Sequence, residues 1–508
     1  MRTDRDYNET LQSDQSTEFS MSSPRASSFL SLYSSGTGEG IDLIDDLSRA
    51  LLGSGWTLFS GQLKESRESK WDASEYCAAK QVTEDGIGDY LGKEQKASLH
   101  GLDKESLNGS NDQQPRWRKW GLSPSSSPST ITKFGSSIIF PLYGNVYPNG
   151  FYFVQVYLGY PPRPYFLDPD TGSDLTWVQC DAPCVRCTAG FHPLYRPSND
   201  LVVCRDPLCA SLHTSDYTCD NPQQCDYEVE YADGGSSLGV LVNDFFTLNL
   251  TSGVRVSPRL TIGCGYDQLP GASDHPLDGV FGLGKGKSSI VSQLRDQGVV
   301  KNVIGHCLNG RGGFLFLGDS AYGSSRITWT QMSREHTKHY AAGSAELRFG
   351  GKSTGFKNLN IIFDSGSSYT YFNSQIYHSL LTFIQKELNG KPLTEANEDH
   401  TLPFCWKGKK PFKSTRDIRK YFKSLSFTFP NGWRSKSQFE ITPESYIIIS
   451  TKGNACLGIL NGTDVGLNSF NMIGDISMQD KLLVYDNEKQ LIGWTPANCD
   501  RPPRSSTI

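Results

Sequence analysis

The sequence predicts an all-β fold in two lobes, with a few short helices, behind a largely disordered N-terminal region. Three observations carry this expectation. From about Ser137 the text becomes short apolar or alternating runs broken by Gly and Pro, such as SSIIFPLYG, GFYFVQVYLG and RPYFLDPDTG, the pattern of strand, turn, strand. That pattern occurs twice, with a seam near 325–345. Asp170-Thr171-Gly172 in FLDPDTGSDLTW recurs as Asp364-Ser365-Gly366 in IIFDSGSSYTYF, 194 positions later, about one domain length.

In order along the chain, residues 1–136 form the low-complexity, disordered region. Ten of the first 40 residues are Ser, and GLSPSSSPST at 121–130 reads as a flexible linker. DLIDDLSRALLG and part of 60–95 predict short helices, and a pro-segment or targeting arm is the functional reading of this region. Residues 137–332 form the first β lobe, continuing through CDYEVEYADGG, SLGVLVNDFFTLNL, RLTIGCGY and GGFLFLGD. KSSIVSQLRDQGVV carries apolar residues at helical spacing. Residues 333–500 form the second β lobe, with SQIYHSLLTFIQKEL as its helix and YFKSLSFTF, YIIIS, ACLGIL, NMIGDISM and KLLVYDN as strands. Residues 501–508 are a tail.

The bulk numbers exclude some functions. Net charge is −5 and the isoelectric point is near 6.0, which gives no electrostatic case for nucleic acid. No run approaches the 18 consecutive apolar residues of a membrane span. Twelve of the 13 cysteines fall between Cys180 and Cys499, and Cys77 stands apart. An even, clustered set points to disulfides and to the secretory pathway, extracellular or vacuolar. No signal peptide is visible in MRTDRDYNETLQSDQSTEFS, so the compartment rests on the cysteines. Cys184-Val-Arg-Cys187 has the spacing of zinc ligands, but no second pair completes a site. No metal or other cofactor is expected. Eight of the nine histidines, His192, His213, His275, His306, His336, His339, His378 and His400, are scattered without a triad-like partner and read as surface or structural.

One Asp-Thr/Ser-Gly arises by chance in roughly one chain in five of this length, so the repetition is the signal. Turn chemistry would explain one copy, with Gly supplying positive φ and Ser or Thr bonding the backbone. A calcium loop starting at Asp168 is excluded, because its sixth position is Ser173 and its twelfth Gln179, where Gly and Glu are required. Two repeated carboxyls that meet can share a proton and act as acid and base on one water.

The chain from about 145 to 500 resembles the pepsin-like (A1) aspartic endopeptidases, and within them the plant nucellin and nepenthesin-like branch. DTGSDLTWVQCDAPC, YADGGSSLGVLVND, DGVFGLG, FDSGSSYTYF and MIGDISMQDKLLVYD carry the likeness. It implies a bilobal fold with Asp170 and Asp364 catalytic across the seam. Thr171 and Ser365 would tie the loops together, Gly172 and Gly366 would permit close approach, and Ser173 and Ser367 would bond the outer carboxylate oxygens. Tyr231 would close over substrate from a flap and bond toward Trp177. The resemblance also implies the disulfides Cys180–Cys184, Cys187–Cys264, Cys204–Cys225, Cys209–Cys219, Cys307–Cys499 and Cys405–Cys456.

The expected partners are peptide or protein substrates, without nucleic acid, and the protein is expected to be a monomer. Asn249-Leu-Thr and Asn461-Gly-Thr are glycosylation sequons. Pro169, directly before Asp170, is a departure, since it removes a backbone donor. The alternative function is a catalytically silent binding protein, such as a relative that inhibits glycosidases.

Overall fold

The computed structural model describes residues 136–502, apart from 189, 199, 214–218, 220, 272–275, 320–321, 323–325, 336–337, 432–434 and 468–469. The region before 136, with its two expected helices and its linker, lies outside the described residues.

The first lobe opens with an antiparallel meander of β1 (Ile138–Asn145), β2 (Phe151–Leu158) and β3 (Arg163–Asp170). In β1 the alternation of Ile138, Phe140 and Leu142 turns one face to the core, as a period-2 pattern requires. The chain then runs through β4 (Trp177–Gln179), helix α1 (Pro207–Leu212) and a hairpin of β5 (Asp226–Glu230) with β6 (Ser236–Phe245). Next come β7 (Arg259–Leu269), β8 (Gly279–Gly282), helix α2 (Ile290–Asp296), β9 (Val303–Asn309) and β10 (Gly312–Leu317).

The second lobe repeats the plan with β11 (Ala341–Phe349), β12 (Leu359–Phe363), β13 (Thr370–Phe372), helix α3 (Ser374–Leu388) and β14 (Asn471–Ile473). A one-turn helix α4 (Asp475–Met478) leads into β15 (Lys481–Asp486) and β16 (Leu491–Pro496). Helix α3 forms where the spacing predicts it. The Asn373 side chain caps it by accepting from the Ile376 amide at 3.1 Å. Ile376, Tyr377, Leu380, Leu381, Ile384 and Leu388 bury one stripe, at roughly 1.5–3 kcal/mol for each large side chain fully buried.

The lobes share one sheet. Strand β15 pairs antiparallel with β9, Cys307 opposite Leu482, so the chain's last hairpin completes a 13-stranded sheet built mainly from the first lobe. A boundary at 332/333 therefore divides the chain but not the sheet. Disulfide Cys307–Cys499 joins the same two ends of the fold.

Four of the expected disulfides are corrected. Cys180 pairs with Cys264, Cys184 with Cys187, Cys204 with Cys219, and Cys209 with Cys225. The reason is strand register. β4 runs parallel to β7 with Val178 opposite Cys264, and the Cys180 amide donates to Gly265 O at 2.9 Å. Cys264 thus faces Cys180, at a Cα separation of 5.3 Å, leaving Cys184 and Cys187 to pair across a turn. Both sulfurs of that would-be zinc pair are used. Cys209 on α1 and Cys225 are fully buried together among Leu175, Trp177, Tyr227 and Leu241. Cys405 and Cys456 sit opposite each other on paired strands and are bonded.

Candidate active site

Each catalytic-type loop leaves the end of a strand that has a parallel neighbour behind it. β3 runs parallel to β8 with Asp170 opposite Gly282, and the Leu283 amide donates to Asp170 O at 2.7 Å. β12 runs parallel to β14 with Phe363 opposite Ile473, and the Asp364 amide donates to Ile473 O at 3.0 Å. The two halves are thus built alike around Asp170 and Asp364.

Their tips interlock. The Thr171 amide donates to Ser365 Oγ at 3.1 Å, and the Ser365 amide donates to Thr171 Oγ1 at 2.9 Å. Each hydroxyl donates onward across the seam, Thr171 to Phe363 O at 3.2 Å and Ser365 to Pro169 O at 2.6 Å. All four bonds are buried, where an unpaired amide costs about 1–3 kcal/mol. Pro169 therefore serves the grip through its carbonyl. The pairing of β3 with β2 ends at Leu167, so the missing donor of Pro169 breaks no bond on that side.

The carboxyls meet over the grip. A methyl group at Gly172 would lie 2.7 Å from Asp364 Oδ1, and one at Gly366 would lie 2.5 Å from Asp170 Oδ1. Only glycine admits the opposite carboxyl at both places. The Gly172 amide donates to Asp170 Oδ1 at 2.7 Å and the Gly366 amide to Asp364 Oδ1 at 3.0 Å. The Asp364 carboxyl is pushed well above the usual range, first by burial and then by the negative charge of Asp170.

The outer oxygens are treated unequally. The Ser173 hydroxyl donates to Asp170 Oδ2. The Ser367 hydroxyl does not mirror it: it donates to Tyr369 O at 3.0 Å, which corrects that expectation. The backbone past Ser367 is engaged by α4, whose Asp475 amide donates to Ser367 O at 2.8 Å.

The β5–β6 hairpin carries Tyr231 on its turn. The Tyr231 amide donates to Gly235 O at 2.8 Å, closing a loop in which Gly234 takes φ +86°. Trp177 Nε1 donates to Tyr231 Oη at 2.6 Å. Burial raises the Tyr231 pKa well above its ordinary value, with the charge of Asp170 as the next cause, so the phenol stays protonated beside the dyad.

Sequence reasoning gave no role to two further carboxyls, Asp168 having been weighed only as the start of a calcium loop. Asp168 and Asp475 are buried, and burial raises both well above the usual range, followed by the charges of the neighbouring aspartates. Their signal was an Asp inside an apolar run, in YFLDPD and NMIGDIS. His306 is also buried, with its pKa lowered to about 4 by desolvation, and its Nε2 lies 3.1 Å from Tyr485 Oη. His306 and Asp475 line a cavity of about 10 Å³ next to Pro169 and Ser365.

Comparison with known proteins places this geometry. Residues 152–319 match the family described as "Xylanase inhibitor N-terminal", and 345–496 the one described as "Xylanase inhibitor C-terminal". An aspartic proteinase of Oryza sativa subsp. japonica is 44% identical over 389 residues, covering 73% of this chain and 93% of the relative. Aspartic proteinase nepenthesin-1 of Nepenthes gracilis is 28% identical over 374 residues, covering 69% of this chain and 78% of the relative. Among solved structures, basic 7S globulin from soybean matches with a TM-score of 0.55 at 15% identity, over 72% of this chain and 95% of that one, a likeness of fold. With 44% identity across nearly the full length of a proteinase relative and this paired-loop architecture, the chain belongs to the pepsin-like (A1) aspartic proteinase family.

Proposed function

We propose that this aspartic endopeptidase cleaves peptide bonds with Asp170 as base and Asp364 as acid. The observation that supports this most is the reciprocal grip, which sets the two carboxyls side by side, each over the other loop's glycine. Asp170 takes a proton from a water, and the water oxygen bonds to the scissile carbon. Asp364 gives its proton to the carbonyl oxygen, forming a gem-diol. Asp170 then passes its proton to the amide nitrogen, the C–N bond breaks, and Asp364 regains a proton from one gem-diol hydroxyl. No covalent acyl-enzyme forms.

The substrate lies extended under the β5–β6 hairpin, as peptides add to strands, and Tyr231 held by Trp177 shields the reacting carbonyl from solvent. Six disulfides fit an oxidising, secretory or vacuolar setting. Asn249 is exposed, so its sequon is open to glycosylation there. The working form is a monomer.

The test is cleavage of a denatured protein at acid pH with two probes. A statine-type inhibitor, which mimics the gem-diol, should abolish cleavage. Hydroxylamine should trap no acyl product. Inhibition failure together with trapped hydroxamate would refute the mechanism.

A further inference from the structure

The segment 405–423, CWKGKKPFKSTRDIRKYFK, carries eight Lys or Arg residues and a single acid, Asp417, in a chain whose net charge is −5. Three of the eight are neutralised: Lys407 by Glu398 at 2.7 Å, Arg419 by Glu444, and Lys423 by Glu387 at 2.6 Å. Lys409, Lys410, Lys413, Arg416 and Lys420 have no ion-pair partner among the described residues, and all five are exposed. Asp417, exposed beside them, offsets one of the five at most and leaves four in excess, and its carboxylate also bonds the backbone. It accepts from the Lys413 amide at 3.0 Å and the Ser414 amide at 3.1 Å, capping the turn Thr415–Ile418.

Four of these five cations surround a hollow. Lys409, Lys410, Arg416 and Lys420, together with the paired Arg419 and with Asp417, line an open concavity of about 770 Å³. Phe412 and Tyr421 line it too, packed edge to face at 6.0 Å, and Lys420 Nζ stands 4.9 Å over the Tyr421 ring. The support is rigid. Strand Cys405–Gly408 is bonded to its neighbour by Cys405–Cys456, and the Phe412 amide donates to Gly453 O at 2.8 Å. None of these residues belongs to the two Asp loops or the flap.

We infer that this concavity is a binding site for a carboxylated polysaccharide, separate from the peptidase cleft and independent of the peptidase reading. Unpaired cations crowded on a concave floor raise the local concentration of an anionic chain, and four of the five unpaired cations are lysines, point donors suited to single, spaced carboxylates. Nucleic acid fits less well. Stacked bases need free aromatic faces, and the Tyr421 face is occupied by Lys420. A membrane fits less well too, since among the described residues the exposed large apolar side chains all lie between Tyr157 and Leu269, leaving this surface no anchor. The disulfides fit an oxidising setting outside the cytosol and nucleus, away from the bulk of the nucleic acid.

The test is binding of the intact protein to immobilised polygalacturonate. Binding should be strong at about 0.05 M salt, fall steeply as the Debye length shrinks toward ~3 Å at 1 M, and vanish on the methyl-esterified polymer. The Lys409→Glu/Lys410→Glu/Lys420→Glu variant should bind at least about tenfold more weakly. Lys352→Glu/Lys357→Glu, which removes the same type of charge elsewhere, should bind normally. Unchanged melting temperatures establish that both variants are folded. Equal binding by the triple variant overturns the site. Tighter binding to single-stranded DNA or to phosphatidylserine vesicles than to polygalacturonate, at equal salt, overturns the ligand class.

Discussion

Thr171 and Ser365 exchange amide-to-hydroxyl bonds of 3.1 and 2.9 Å across the lobe seam, 194 residues apart in sequence. The same hydroxyls bond Phe363 O and Pro169 O. Two flexible loop tips become one rigid platform in this way, and the platform fixes the distance between the carboxyls that stand on it.

Thr171→Ala or Ser365→Ala therefore strands a buried amide and frees a buried carbonyl. Each should cost about 1–3 kcal/mol of stability and lower kcat/KM more than it raises KM. Thr171→Ser and Ser365→Thr keep the hydroxyl and should restore most of both. Thermal unfolding and peptide kinetics on the four variants check this. Alanine variants with wild-type melting and turnover would sink the argument.

The Tyr231–Trp177 bond is the hairpin's tie to the lobe at 2.6 Å. Tyr231→Phe removes the hydroxyl and leaves the indole N–H without it. We expect about a tenfold loss of kcat/KM, the scale of one buried hydrogen bond, with little change in melting temperature. A loss confined to stability would assign the pair to packing alone.

His306 gives stability a sign against acid. Burial lowers its pKa to about 4 from 6.5. Its favourable contribution is therefore present above pH 6.5 and is lost as pH falls through about 4, a difference worth about 3 kcal/mol. His306→Gln should flatten the decline in melting temperature across that window. An unchanged slope would show that His306 charges without penalty.

Asp475 runs the other way. Its raised pKa means the folded state keeps a proton that the unfolded state releases, so its contribution is present below about pH 4 and is lost as pH rises. Asp475→Asn, which stays neutral, should gain stability relative to the parent as pH increases. Melting curves at acid and neutral pH read the difference directly, and a constant offset would contradict it.

Disulfide pairing is checked by non-reducing peptide mapping. It should yield linked fragments Cys180–Cys264 and Cys209–Cys225. Removing Cys405–Cys456, which closes a loop of 51 residues, should cost about 4 kcal/mol, against about 1.5 for the short Cys184–Cys187 loop, by loop-closure entropy.

The repeated Asp-Thr/Ser-Gly, the alternating strands and helix α3 were legible because each depends on local periodicity or a duplicated motif. The long-range partners were not. Cys180 sits beside Cys264 only because β4 lies in parallel register with β7, which no spacing records. Ser367 looks equivalent to Ser173 in sequence, yet its hydroxyl turns to Tyr369 O. Asp168, Asp475 and His306 come from three separate segments, and their shared burial behind the loops appears only once those segments pack. The flat overall charge likewise concealed the basic hollow at 405–423.

The most direct test of the central claim is kcat/KM for Asp170→Asn and for Asp364→Asn on one peptide at acid pH. Both variants should fold, and each should lose about 10³-fold or more, the scale of acid–base catalysis, because neither carboxyl can do the other's task. Either variant retaining activity within about tenfold of the parent would contradict a mechanism built on this pair.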